Sequence, residues 1–360
     1  MRNGEGLTRP PFSLSPSLQK ISLVPINIAL LSTAHIHTKG FLENLKKGAD
    51  GRVAYAIWDD VPERGQRYAT EFGAKFVANL DDLLKDAHVQ GFLVCAENTR
   101  HIALLEKALP TGKPVFCEKP LATSGADALR AKALAEKYHS TLFAGYFQPF
   151  GGGMRAIAKM IADGDFGAIT HVRFRNAHHA AYGKWFDSPD LAWFANKELS
   201  GGGALLDLGT HAVHLLRHLF GPVAKVQAIV TNRSGSYSTV DDFGMAWLHF
   251  ANGIIGTVEA NWIQQGGPGG LEIMGTKLGL WSEGGKYVVG KPDQDAKPIV
   301  DIDSQPATVD RLIAAIQGKL SAQDLAKDVD CCVDAVTIME AIYAAAQTGG
   351  TVAVQKAAKA

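Results

Sequence analysis

Between Ile26 and Tyr146, short apolar runs alternate with stretches long enough for helices, and this rhythm constrains the fold more than any other feature of the chain. Ile26 to Leu31 (INIALL), Val53 to Trp58 (VAYAIW), Val89 to Ala96, Val115 to Cys117 and Thr141 to Tyr146 read as strands, with a shorter one at Lys75 to Val77. Continuous apolar runs of this kind suit strands covered on both faces. Helices are expected up to Lys47, over Pro62 to Phe72, around Leu80 to Asp86, and over Glu97 to Leu109 and Gly125 to Tyr138. Strand and helix in regular alternation predict a doubly wound, parallel α/β sheet over residues 25–148.

From Gly151 the grammar changes. A helix at Met154 to Asp163 leads into strand-like stretches at Thr170 to Asn176, Val223 to Asn232, Phe243 to Phe250, Gly253 to Trp262, Leu271 to Met274 and Leu278 to Trp281. Several alternate apolar with polar residues and are joined by hairpin turns such as Ala251-Asn252-Gly253, so a large, mostly antiparallel open sheet is expected. Two helical segments, Pro306 to Gln317 and Ala326 to Thr348, finish a second α/β domain assigned to 149–360, with a frayed Ala/Lys tail. Two domains also suit 360 residues, which is long for a single core. Residues 1–24 read as a flexible extension that can dock on a neighbouring subunit.

Composition excludes several classes. Lys plus Arg equals Asp plus Glu, so there is no basic field to attract nucleic acid or anionic lipid. No window reaches the roughly eighteen apolar residues of a membrane span. Cys95, Cys117, Cys331 and Cys332 lack metal-type spacing and read as reduced thiols, which with the absence of a secretory leader points to the cytoplasm.

The chemistry centres on Lys113 to Ala122, KPVFCEKPLA. Its strand delivers Glu118-Lys119-Pro120 to the carboxyl edge of the sheet, where open α/β sheets bind ligands. Lys119 is placed there beside a nicotinamide ring and a substrate hydroxyl, with Pro120 biasing it toward extended backbone. At the first β–α turn the three glycine positions of a dinucleotide fingerprint read Ser32, Ala34 and His37. Glycine belongs there because backbone must approach pyrophosphate closely. The turn Ser32-Thr33-Ala34-His35-Ile36 still leads to a helix N-terminus that can hold an anion. Asp59 ends the second strand, where an acid can bond an adenosine ribose and repel a 2′-phosphate, so NAD is expected with NADP possible. Asp60 and Arg64 blur that preference. Ala96, Glu97, Asn98 and His101 follow the fourth strand and are expected either to wall the nicotinamide ribose or simply to cap a helix.

The sharpest motif is Gly201-Gly202-Gly203-Ala204-Leu205-Leu206-Asp207-Leu208-Gly209-Thr210-His211. Asp207 and His211 stand at i and i+4, one above the other on a helix, so the carboxylate can orient the imidazole as general base. His214 and His218 continue that face and form a candidate metal set with Asp207 and His211, but no carboxylate or cysteine completes it. His35 and His37 form an HxH of the kind found on the first strand of metal-dependent hydrolase barrels, and the antiparallel second half excludes a barrel. No metal is therefore expected. His178, His179, Tyr182, Trp185, Phe186 and Trp193 suit stacking on a sugar ring or a subunit contact.

Taken together, the EKPLA segment, GYFQPF at Gly145, the GGGALLDLGTHAVHLLRHLFG run, the Asp241-Asp242 and Asn252-Gly253 pattern and the TGGTV end resemble the glucose-fructose oxidoreductase and inositol dehydrogenase family, Gfo/Idh/MocA, over nearly all of Ile26 to Val354. The resemblance implies a Rossmann domain plus a sheet domain that pairs subunits into dimers or tetramers. It also implies catalytic roles for Lys119, Asp207 and His211 in oxidising a sugar or polyol, with Gln148, His178, Tyr182, Trp185 and Thr210 near the substrate. Two departures stand out: the missing glycines, and Gln148-Pro149 where the family carries an arginine. The rival readings are a dinucleotide-binding regulatory protein without turnover and a metal-dependent hydrolase or lyase.

Overall fold

The computed structural model describes residues 25–355, so the expectations for the head and the Ala/Lys tail lie outside the described residues. The first half folds as β1 (Ile26–Leu31), α1 (Thr38–Lys47), β2 (Arg52–Trp58), α2 (Pro62–Phe72), β3 (Lys75–Phe76), α3 (Leu80–Lys85) and β4 (Gly91–Val94). It continues through α4 (His101–Ala108), β5 (Val115–Cys117), α5 (Gly125–Lys137) and β6 (Leu142–Ala144). These strands form one parallel sheet in the order β3-β2-β1-β4-β5-β6. The order reverses between β1 and β4, and a crevice opens at the carboxyl ends on either side of such a reversal. The Rossmann expectation is met because apolar β1, β4 and β5 are buried on both faces, as a sheet sandwiched by helices requires.

The second half runs α6 (Gly152–Ala162), β7 (Ile169–Ala177), α7 (Lys197–Ser200), α8 (Thr210–Phe220), β8 (Val223–Thr231), β9 (Phe243–Phe250) and β10 (Ile255–Asn261). After it come β11 (Gly270–Gly275), β12 (Gly279–Glu283), β13 (Lys286–Gly290), β14 (Lys297–Pro298), α9 (Thr308–Ile316), α10 (Ala322–Thr348) and β15 (Val352–Ala353). The nine-stranded sheet has the order β14-β13-β12-β11-β7-β10-β9-β8-β15. Its pairings are antiparallel except β10 on β7. Phe174, Val226, Leu248, Val258 and Ile273 turn inward in one core with Val213 and Leu216 of α8. The other face leaves Ile229, Trp247 and Ile255 exposed.

Sequence pattern did not reveal β13, β14 or β15. β14 and β15, of two residues each, are too short to show alternation, and they form here because an edge is available to pair with; β13 pairs with β12 across the Gly284-Gly285 turn. A second difference concerns the chain's end. Val309, Leu312 and Ile313 of α9 pack with Ile28, Leu30 and Phe116, so a helix from the second half covers the back of the parallel sheet. Gly91 makes room for it, since a Cβ there would lie 2.9 Å from Ile316 Cδ1.

Candidate functional site

The carboxyl end of β5 carries Glu118, Lys119 and the cis Lys119–Pro120 peptide. Lys119 is 3% exposed, and its Nζ donates to Asp207 Oδ1 at 2.6 Å and to the Asp207 carbonyl at 3.1 Å. The other carboxylate oxygen, Oδ2, accepts from Trp262 Nε1 at 3.0 Å. A buried ammonium from one half thus meets a carboxylate from the other. Burial pushes the Asp207 carboxyl up, but the Lys119 charge and hydrogen bond outweigh it and hold the group well below the usual carboxylate range.

The expected Asp207–His211 pairing is corrected. Leu205 to Gly209 form one π-helical turn before α8, so the i, i+4 alignment of a regular helix is lost. Both Asp207 oxygens go elsewhere, and His211 Nδ1 is buried without a partner among the described residues. The His211 ring packs edge-on against Tyr146 and Phe147, at 5.8 and 5.7 Å between centroids. Burial, with the nearby Lys119 charge, lowers its pKa to about 3, so the imidazole is neutral and able to accept a proton. Thr210 is fully buried and shares a 2.7 Å hydrogen bond with Tyr146 Oη.

The glycine run serves the fold as well as the site. Gly203 donates to Asp241 Oδ1 at 2.9 Å and Leu205 to Oδ2 at 2.8 Å, and a Cβ on Gly203 would lie 1.8 Å from the Asp241 carbonyl oxygen. The run therefore presses against the protein's own backbone. Gly203→Ala is expected to destabilise the chain by about 3 kcal/mol in urea unfolding, because a main-chain neighbour cannot rotate away. A loss below about 1 kcal/mol would show that the Asp241 loop yields.

At the first β–α turn, Ser32 adopts φ +69°, the left-handed conformation that glycine supplies without strain. The N-cap of α1, His37, makes no side-chain cap bond. The turn therefore keeps the backbone shape and the uncapped helix start that suit an anionic pyrophosphate. Asp59 is occupied differently from the sequence expectation. Its Oδ2 accepts from Thr33 N at 2.7 Å, Thr33 Oγ1 at 2.6 Å and Arg64 Nε at 3.0 Å, and its Oδ1 accepts from Val61 N at 2.8 Å and Arg64 Nη2 at 2.8 Å. At 2% exposure, Asp59 holds the turn together rather than facing outward. Asp60 beside it is the exposed acid.

Several other candidates are also tied down. Glu97 lies buried, 3.4 Å from Arg64 Nη1; Asn98 Nδ2 donates to the Ser200 carbonyl at 2.8 Å. The His101 ring is fully buried between the Pro120 and Ala96 carbonyls, at 2.8 and 3.1 Å, and braces the lysine loop. Ala34 is buried, and its carbonyl accepts from Trp193 Nε1 at 3.0 Å, while Ile36 is 43% exposed. His178 stacks on Trp185 at 4.7 Å, with Tyr182 exposed nearby in sequence and Gln148 Oε1 buried without a partner among the described residues. His214 is not a ligand in waiting: it stacks on Tyr146 at 4.0 Å and lies 3.9 Å from Cys332 Sγ. Residue pattern missed Trp262 and Tyr146, since a tryptophan and a tyrosine at strand ends give no sign of what they bond.

The buried histidines carry a pH signature. Burial lowers His211 to about 3 and His218 to about 4, below the ordinary value of about 6.5 that the unfolded chain shows. As pH falls below about 6.5 the unfolded chain binds protons first, so stability falls until the folded histidines also titrate near 3 to 4. The urea midpoint should therefore drop between pH 7 and pH 5, and His218→Gln should flatten that slope. An unchanged slope in the variant would remove His218 from the account.

Among the described residues no helix is long and apolar enough to cross a membrane. Residues 26–146 match the model of the oxidoreductase family with an NAD-binding Rossmann fold, and residues 154–280 match the GFO/IDH/MocA C-terminal domain. Among similar proteins, 1,5-anhydro-D-fructose reductase of Ensifer adhaerens is 28% identical over 235 residues, 64% of this chain and 68% of that protein. Inositol 2-dehydrogenase of Burkholderia multivorans is 33% identical over 141 residues, 38% of this chain and 42% of that one. For several relatives the aligned region spans about half of their length. A levoglucosan dehydrogenase solved with NADH shares the fold at a TM-score of 0.77 and 19% identity, covering 93% of this chain and 100% of that one. With both domain models matched in tandem over more than half of its length, the chain belongs to the Gfo/Idh/MocA oxidoreductase family.

Proposed function

We propose that the chain passes hydride between a secondary alcohol of a sugar, cyclitol or sugar derivative and the nicotinamide of NAD, with NADP as the lesser cofactor. One observation carries this reading: Lys119 of the first half and Asp207 of the second meet at 2.6 Å, beside the neutral His211. Ser32 to Ile36 and the start of α1 would hold the pyrophosphate, and Ala96 with Glu118 to Pro120 would line the nicotinamide side. NAD, when bound, supplies the ring that accepts hydride. Asp59 acts through Thr33 and Arg64, shaping the turn, and Asp60 is the exposed acid at the β2 end. His211, its imidazole neutral, takes the hydroxyl proton, and Lys119 steadies the developing alkoxide charge, held in place by Asp207, which Trp262 holds in turn.

Gln148, His178, Tyr182 and Trp185 would contact the sugar, whose stacked imidazole and indole suit a ring face. The exposed Ile229, Trp247 and Ile255 favour pairing of two or four copies through the open sheet; a monomer in sedimentation equilibrium would remove that part. Reading 25–148 and 149–360 as cofactor and substrate domains of a cytoplasmic enzyme belongs to the same proposal. The test is NADH fluorescence titration followed by a polyol and glycoside screen with NAD and NADP. Binding without turnover of any polyol would favour the regulatory reading; no binding would end both.

A further inference from the structure

Within the segments proposed to border the cofactor lies a polar cluster whose side chains have no part in the proton or hydride transfer itself. His35 is 2% exposed, its ring flanked by Trp193 at 6.0 Å and Phe194 at 5.7 Å between centroids. Its Nε2 lies 3.8 Å from Glu118 Oε2, too far for a hydrogen bond, and has no partner among the described residues. His37 Nδ1 lies 3.1 Å from Glu118 Oε1 on the opposite side of the carboxylate. One donor atom from each of the three residues falls within 4.8 Å of the others, the single such group of histidine, cysteine and acid among the described residues.

A hydrogen bond from His37 to Glu118 accounts for that contact but leaves the buried nitrogen of His35 unexplained. Orphaned buried nitrogens are costly, and here the orphan faces a carboxylate and a second imidazole. Zinc bonds to histidine nitrogen and carboxylate oxygen are about 2.0–2.2 Å long, which sets neighbouring donors about 3.3 Å apart around a tetrahedron. The observed separations, 3.1 Å from His37 to Oε1 and 3.8 Å from His35 to Oε2, lie on either side of that spacing, with one imidazole beside each carboxylate oxygen. We propose that His35 Nε2, His37 Nδ1 and Glu118 form a site for a divalent transition-metal ion of the zinc class, with its fourth position open.

The surroundings support three-ligand binding. Glu118 Oε2 accepts from the Lys119 amide at 3.0 Å, which orients the carboxylate as outer groups orient metal ligands elsewhere. The Lys119 ammonium is already paired with Asp207 at 2.6 Å. The His37 amide donates to His35 Nδ1 at 3.3 Å, so metal at Nε2, which moves the ring proton to Nδ1, requires that amide to turn away from the ring. His37 is 44% exposed, giving the ion a way in and the fourth position access to water or a ligand oxygen. Three protein ligands with one open position are the arrangement of reactive rather than purely structural zinc.

The full chain, stripped with chelator and dialysed against Zn²⁺ alone, should retain about one equivalent by elemental analysis. Co²⁺ in its place should give the visible absorption of a four-coordinate ion. His37→Ala changes an exposed side chain and should bind at least about 100-fold more weakly, as should His35→Gln. Retention below about a tenth of an equivalent, or undiminished affinity in His37→Ala, overturns the site. The readout is metal content and so stands apart from any result with NADH.

Discussion

Lys119→Met should lower polyol turnover by about three orders of magnitude and leave NADH affinity within a few-fold. Lys119 is the cation placed to meet alkoxide charge, and methionine keeps its length while removing the charge. The same change strands a buried carboxylate, since Asp207 keeps only Trp262 as a partner. Breaking a buried pair in this way costs about 3–5 kcal/mol. The pH dependence separates the two effects. With Lys119 present, Asp207 sits below its ordinary range, so the pair stabilises the fold above about pH 4 and the benefit is lost only in stronger acid. Without Lys119, burial pushes the Asp207 carboxyl up against only the smaller lowering effects of His178 and the Trp262 hydrogen bond, so its pKa rises above the parent's. The folded variant then binds a proton that the folded parent has already lost, and its deficit relative to the parent should grow as pH rises through the interval between the two pKa values. Turnover within tenfold of the parent would remove Lys119 from the chemistry, and a deficit that does not change with pH would show that Asp207 does not feel its loss.

His211→Asn should reduce turnover by about two to four orders of magnitude with the KM for the polyol changed far less. Asparagine occupies similar space in the ring packing of Tyr146 and Phe147 but cannot accept the proton. Because the imidazole titrates only near 3, the parent's kcat/KM should show no acidic limb near pH 6 to 7. A limb there, absent in the variant, would mean that substrate or cofactor opens the pocket and returns the histidine to ordinary solvation. Full activity of His211→Asn would assign the base to another group.

Fold class was legible because the apolar runs of β1, β4 and β5 can be buried in only one way, between two helical layers. The antiparallel half was legible for a related reason: Phe243 to Phe250 and the Asn252-Gly253 turn carry their pairing locally, and β9 forms with those bounds. Lys119, Asp207 and His211 were legible as residue types at marked positions. Their partners were not. The spacing of Asp207 and His211 predicts contact on a regular helix, and a single π turn redirects the carboxylate to Lys119 and Trp262. Asp59 stands where a ribose acid belongs, yet Arg64 and Thr33, brought in by α2 and the first turn, take both of its oxygens.

Periodicity and residue type determined the two architectures, the edge of the parallel sheet on which chemistry can occur, and the titratable groups available there. Only the tertiary structure decided who bonds whom. Hydrogen bonds and ion pairs depend on separations of tenths of an ångström between groups distant in sequence, such as Lys119 with Asp207 or His35 and His37 with Glu118, and burial then sets which of them carry charge.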